Sequence, residues 1–222
     1  MNGRMPEPYK EADRLLQRLT SLILKRREKV QRKLLTLGFD ELNVMQEVDY
    51  LYEYIETMCE AYYRLLYTDR YWEMWEWLTG EEPDEDEVDE LFELFLAGLL
   101  NNPNPVVHYA FQAELIRKRD RAKEAIIAVP TKAQKQLELE KNVRYVIQQA
   151  GFFMDITEDE ADLMALKNAD IKKVRWVIYG DDRVCETCQE LDGTVWDVDN
   201  VPNKPHPRCR CYLRPVTSLK NV

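Results

Sequence analysis

Apolar side chains recur at helical spacing from early in the chain. Leu15, Leu16, Leu19, Leu22 and Ile23, then Val30, Leu34 and Leu37, define one face of a helix that begins near Glu11 and stops at Gly38. A coiled coil is not implied, because the heptad through Leu16, Leu19, Ile23, Val30 and Leu37 puts Arg26 and Lys33 in the seam. Asp40 is placed to cap a second helix, whose Leu51, Tyr54, Ile55, Met58, Tyr62 and Leu65 share a face and which runs to about Leu78. At its end Tyr67, Tyr71, Trp72, Trp75 and Trp77 form an aromatic cluster, expected between packed helices rather than as a platform for bases. Cys59 on the same helix reads as a small buried hydrophobe.

The tract from Glu81 to Glu87 is the most polar in the chain and predicts a loop and the first turn of a third helix, which continues through Val88, Leu91, Phe92, Phe95 and Leu99. Carboxylates in that first turn complement the helix dipole, so no cation site is needed to explain them. Asn101-Asn-Pro-Asn-Pro interrupts the pattern. A fourth helix is expected from about Val106 to Ala128, stopped near Pro130, and a fifth from Thr131 to about Ala150, ended by Gly151. Thr157 and Glu160 have the spacing of a capping box and predict a further short helix. Beyond residues 168–172 the pattern changes: Val174-Arg-Trp-Val-Ile-Tyr has the character of a strand, and four Cys and four Pro crowd the last fifty residues. The fold class is therefore mainly α, an elongated helical body followed by a small α+β C-terminal module that needs a staple because it has little core.

Composition sharpens this picture. With 222 residues, 45% apolar types, 32% charged residues, 7 Gly and 10 Pro, the chain suits long solvated helices and disfavours an all-β fold. The net charge of -10 is unevenly spread. Residues 1–33 carry ten Lys/Arg against four Asp/Glu, whereas residues 40–94 carry nineteen Asp/Glu against two Arg. Nucleic acid would have to meet a local basic patch, and the tract holding Arg117, Lys118, Arg119, Arg121 and Lys123 is the candidate contact for DNA or an acidic partner, against the plainer reading of a solvated helix face. The first residues lack the apolar core of a signal peptide and the longest apolar stretch is broken by Glu93, so neither export nor membrane spanning is expected.

Without an export signal, clustered thiols suggest metal rather than disulfides. Cys185-Glu-Thr-Cys188 is a two-thiol knuckle, and His206-Pro-Arg-Cys209-Arg-Cys211 supplies further soft ligands after the Leu191-Asp-Gly193 turn. Together they predict a tetrahedral structural zinc site. Five ligand-type residues compete for four places. The favoured set is Cys185, Cys188, His206 and Cys209, because an extended segment from Cys209 to Leu213 would hold Cys209 and Cys211 about 6.6 Å apart. Cys211 remains the alternative fourth ligand. Catalytic readings find little support. A deaminase needs a His-x-Glu ahead of its Cys pair, a nuclease would need a histidine beyond His108 and His206, and adjacent carboxylates such as Asp181 and Asp182 are usually solvated caps.

The string Val174-Arg-Trp-Val, Asp181-Asp-Arg-Val-Cys-Glu-Thr-Cys188, Leu191-Asp-Gly193, Val195, Pro202 and His206-Pro-Arg-Cys-Arg-Cys-Tyr-Leu-Arg-Pro-Val216 resembles the C-terminal module of tailed-phage minor head proteins, the phage Mu protein F-like head-morphogenesis family. Asn104-Pro-Val-Val-His-Tyr, Glu114, Lys118-Arg-Asp-Arg-Ala-Lys-Glu and Asp155-Ile-Thr-Glu resemble the helical segment that precedes it, so the likeness spans about residues 103–216. Ile156 departs from the pattern, since many relatives have an arginine there. The resemblance implies three stretches: an N-terminal helical region at 1–102, the family's helical segment at 103–170 and a zinc-binding module at 171–222. It also implies a non-enzymatic minor capsid protein of the virion head, made in the host cytoplasm and placed at the portal vertex. Its partners would be the portal protein, the major capsid or scaffolding protein and packaged DNA, with no membrane. A zinc-ribbon DNA-binding or regulatory protein and a metal-dependent nuclease are the alternatives from other classes.

Overall fold

A computed structural model describes residues 4–101, 111–180, 184–205 and 209–216. Five long helices lead into the small module: α1 (Lys10–Leu37), α2 (Glu41–Thr79), α3 (Glu85–Asn101), α4 (Phe111–Ala128) and α5 (Lys132–Asn168). The module contains β1 (Lys173–Val177), α6 (Glu186–Leu191), β2 (Val195–Asp197) and β3 (Tyr212–Pro215), with a 3-10 turn at Val198–Asn200. Among the described residues no helix is long and apolar enough to cross a membrane. With 39 residues, α2 is about 58 Å long at 1.5 Å per residue. The two longest helices, α2 and α5, make the body elongated.

The helix limits follow local chemistry. Gly38, at φ 106, ends α1 and sends its N–H to Leu34 O. Asp40 caps α2 by accepting from Asn43 N. Asp84 accepts from Glu87 N at the start of α3, so the acidic tract caps a helix as its sequence suggests. Thr131 and Gln134 form a capping box on α5. The predicted break at Gly151 does not occur. Residues 150–155 are all buried and α5 passes through them without interruption. The penalty for a helical glycine is about 1 kcal/mol, less than the gain from burying a phenylalanine such as Phe153. Thr157 consequently lies inside the helix, where its hydroxyl donates to Phe153 O instead of capping a new one. The predicted start of the fourth helix, from Val106, lies outside the described residues.

Packing brings stretches distant in sequence into one core. Tyr63 on α2 donates to Ala150 O, Arg70 pairs with Asp162, and Asn168 donates to Tyr71, so α2 and α5 run side by side in the same direction. Phe111 from α4 packs edge-on against both Tyr63 and Phe153. The aromatic cluster is core, as expected: Tyr67 and Tyr71 are buried and stack with Phe95 and Trp75. Cys59 is also fully buried. Val174 of β1 and Val198 join this same core, which seats the module on α5.

Arg70 is the buried charge at this junction. Its guanidinium makes a two-bond contact with Asp162, Nε–Oδ1 2.5 Å and Nη2–Oδ2 2.8 Å, and lies 3.6 Å from Glu158. Burial opposes its charge, but Asp162 and Glu158 hold the proton firmly. Replacing Arg70 with Met strands the buried Asp162 carboxylate and should destabilise the fold by roughly 3–5 kcal/mol in urea unfolding. Burial also pushes the Glu158 carboxyl up to about 8, against the opposing Arg70 charge and with Asp162 adding to the rise. Because this value lies above the ordinary 4.5, the carboxyl's contribution to stability is complete below about pH 4.5 and is lost as pH rises through about 8. Glu158→Gln, which keeps the acceptor oxygen, should therefore flatten the fall in stability between those pH values, as measured by denaturant midpoints at each pH.

Candidate metal centre

The module is a three-stranded antiparallel sheet in the order β2-β1-β3. Val174 of β1 faces Trp196 of β2, and Trp176 of β1 faces Leu213 of β3. Alternation along β1 buries Val174 and Trp176, with Val174 in the main core and Trp176 in a second cluster with Cys188, Cys209 and Cys211. The Leu191-Asp-Gly193 element has a structural role here. Asp192 Oδ1 accepts from Ile178 N at 3.1 Å, and Gly193, at φ 77, adopts the left-handed conformation that returns the chain to β1, where its N–H donates to Trp176 O.

The sulfurs of Cys188, Cys209 and Cys211 all lie within 4.8 Å of one another and all three residues are buried. The Cys188 and Cys209 sulfurs are 3.5 Å apart, far longer than a disulfide of about 2.05 Å and close to the ~3.8 Å between thiolates sharing a tetrahedral zinc. Cys185 caps α6 with its sulfur, which accepts from Cys188 N at 3.4 Å. Four cysteines are thus gathered at one end of the sheet. Hydrogen bonds from the Cys211 side chain and backbone, with the Lys204 charge, pull the Cys209 thiol well below its ordinary value. The Cys211 thiol moves up, mainly through the same shared bond with Cys209 and through burial, while burial raises Cys188. The Trp176 indole N–H lies beside the Cys211 sulfur. Three buried soft donors converge, a set that fits a metal preferring thiolates.

The case for Cys211 is stronger in the fold than in the sequence. An extended strand from Cys209 would hold the two sulfurs apart, but β3 begins only at Tyr212, and the Cys209 and Cys211 sulfurs lie within 4.8 Å of each other. His206, the favoured competitor, lies outside the described residues, as do His108, Asp181 and Asp182. The basic tract is also differently placed than its sequence suggests. Arg117 makes two bonds of 2.7 Å to the buried Glu114, Lys118 lies 3.3 Å above the Tyr145 ring centre, and Arg119 and Lys123 pair with Asp49 of α2. Lys123 is itself buried, whereas Arg121 faces solvent. Most of these cations join α4 to its neighbours. Sequence reasoning did not single out Tyr9, Lys204 or Arg210, which surround the cysteine loop. Arg210 lies within the His206-to-Cys211 string but its partners Tyr9 and Asp13 are remote in sequence, and no motif marks Tyr9 or Lys204.

The architecture defines a class, a helical body carrying a small α+β module organised around clustered cysteines. Residues 116–214, a little under half of the chain, match the family model described as Phage Mu protein F like protein. The match includes most of α4, all of α5 and Cys185, Cys188, Cys209 and Cys211. No curated protein and no solved structure matches the chain.

Cobalt(II), which replaces zinc in tetrahedral sites and reports thiolate ligands by charge-transfer absorption, should show at least three thiolates per metal. Cys211→Ser should reduce that absorption as much as Cys209→Ser. A Cys211→Ser protein with an unchanged spectrum would remove Cys211 from the site.

Proposed function

We propose that this protein is a minor capsid protein of a tailed bacteriophage, present in the virion head and acting at the portal vertex during procapsid assembly. The observation that carries the reading is the family match across residues 116–214, which includes both the cysteine module and the long helix on which it rests. The portal protein is the primary partner, with the major capsid or scaffolding protein meeting the same assembly. The role is structural and not enzymatic. Described polar groups that could suggest catalysis are engaged in the fold, as Arg70, Asp162 and Glu114 illustrate.

The metal in this reading is zinc, held by Cys188, Cys209 and Cys211 with either Cys185 or His206 as fourth ligand. A closed four-ligand site leaves no position for an activated water, so the metal contributes folding energy to a module too small to be stable alone. Contact with packaged DNA, in this reading, falls on α1. There Arg18, Lys25, Lys29 and Arg32 are exposed along one side of the helix, whereas residues 117–123 are largely committed to internal pairs.

The purified protein should contain about one zinc per chain by elemental analysis. It should co-sediment with procapsids and be retained by an immobilised portal ring. Absence from both, together with tight salt-sensitive binding to free DNA, would favour the zinc-ribbon DNA-binding alternative.

A further inference from the structure

The cysteine loop is held from an unexpected direction, by the residues that precede α1. Arg70 Nη1 donates to Glu7 O at 3.4 Å, and the Tyr9 N–H donates to Glu158, so this segment is fastened to the buried charges of α2 and α5. Tyr9 is fully buried and has φ 62, a left-handed conformation costing roughly 1–2 kcal/mol for a residue with a Cβ. Surrounding contacts over-determine this conformation. Its carbonyl accepts the Asp13 N–H that opens α1, and its ring points into the module.

The Tyr9 hydroxyl lies 2.6 Å from Cys211 O and 2.8 Å from Asp159 Oδ1. Lys204 Nζ donates to the same hydroxyl and to Cys209 O, 3.0 Å away, and is paired with Asp159. The two carbonyls on either side of Arg210 therefore have designated partners, Lys204 for Cys209 and Tyr9 for Cys211. The Arg210 side chain is confined as well. Its guanidinium lies against both the Tyr9 and Tyr179 rings, 5.0 and 4.6 Å from their centres, and Nη2 pairs with Asp13 of α1 at 2.9 Å. Backbone direction at Cys209 and Cys211 decides where their sulfurs point. That direction is set by Tyr9, Lys204 and Asp13.

We infer that Tyr9 is a positioning residue for the metal centre, and that metal binding at the cysteine cluster and docking of residues 5–13 are energetically coupled. The inference rests on the metal reading above. A thiolate-bound metal orders the loop at residues 209–211, and an ordered loop presents Cys211 O and the Arg210 guanidinium to Tyr9. Linkage makes the effect reciprocal: whatever Tyr9 adds to metal affinity, the metal adds to the docking of the N-terminal segment. The cysteine module and the start of α1, about two hundred residues apart in sequence, thus report on one another.

The test uses the full chain, with zinc affinity read by competition with a chromophoric chelator and hydrogen exchange followed at the amides of residues 9–14. Tyr9→Phe keeps the ring over Arg210 and removes the hydroxyl, and Lys204→Met removes the other carbonyl donor. Each should weaken zinc binding about tenfold, the scale on which outer hydrogen-bond partners tune metal sites, while helix content by circular dichroism stays unchanged. Stripping zinc from the unaltered protein should speed exchange at residues 9–14 and leave the middle of α2 protected. Zinc affinity unchanged in both variants, with exchange at residues 9–14 indifferent to zinc, overturns the coupling while leaving the metal site intact. Failure of the unaltered protein to bind zinc overturns the coupling and the metal reading together.

Discussion

A buried guanidinium cannot be left without counter-charge, and the demands of Arg70 organise much of this molecule. Its two-bond contact with Asp162 and its approach to Glu158 fix α2 against α5 in one register. The same group donates to Glu7 O of the N-terminal segment, and Glu158 receives the Tyr9 N–H. Removing this charge would leave the buried Asp162 carboxylate stranded and release the segment that touches the cysteine loop. Apolar packing around it, from Tyr63, Phe111 and Phe153, contributes most of the stabilisation, whereas the ion pair selects which alignment of two long helices is allowed.

The continuity of α5 extends this alignment to the module. A break at Gly151 would have uncoupled the helical body from the sheet, but the helix continues to Asn168, so Asp155, Glu158, Asp159 and Asp162 all project from one rigid element. Glu158 and Asp162 meet Arg70 on one side and Asp159 meets Lys204 on the other. Val174 and Val198 complete the seat. The module therefore has two supports, an apolar contact with α5 and the cluster of thiols. In the proposed role a head component must transmit contacts across its length, and a helix about 55 Å long at 1.5 Å per residue provides such a member.

Charge is divided by use rather than by sequence density. Residues 117–123 have the higher local concentration of cations but meet buried Glu114, Asp49 and an aromatic ring. The exposed cations of α1 face outward, opposite the stripe of Leu15, Leu19, Ile23, Val30 and Leu34. A surface with clustered positive charge on an otherwise acidic protein gives a local attraction for anionic partners that the net charge conceals.

Much of the fold was legible in the sequence because its causes are local. Helical periodicity, Gly38, Asp40, Thr131 and the acidic turn before α3 define their elements through backbone geometry and capping, which operate within a few residues. The spacing of Cys185, Cys188, His206 and Cys209 likewise pointed to a cluster of soft donors, of which Cys188 and Cys209 are found together, and the family segment was recognisable in the same residues. Three features were decided by tertiary structure. Gly151 stays helical because neighbouring helices bury its surroundings, Cys211 joins the cluster because β3 begins only after it, and Lys118, Arg119 and Lys123 are paired because Tyr145 and Asp49 are brought against them. Tyr9 belongs with these. Its partners, Glu158, Lys204, Arg210 and Cys211, lie far along the chain, and contacts at such separation leave no local pattern of spacing or propensity.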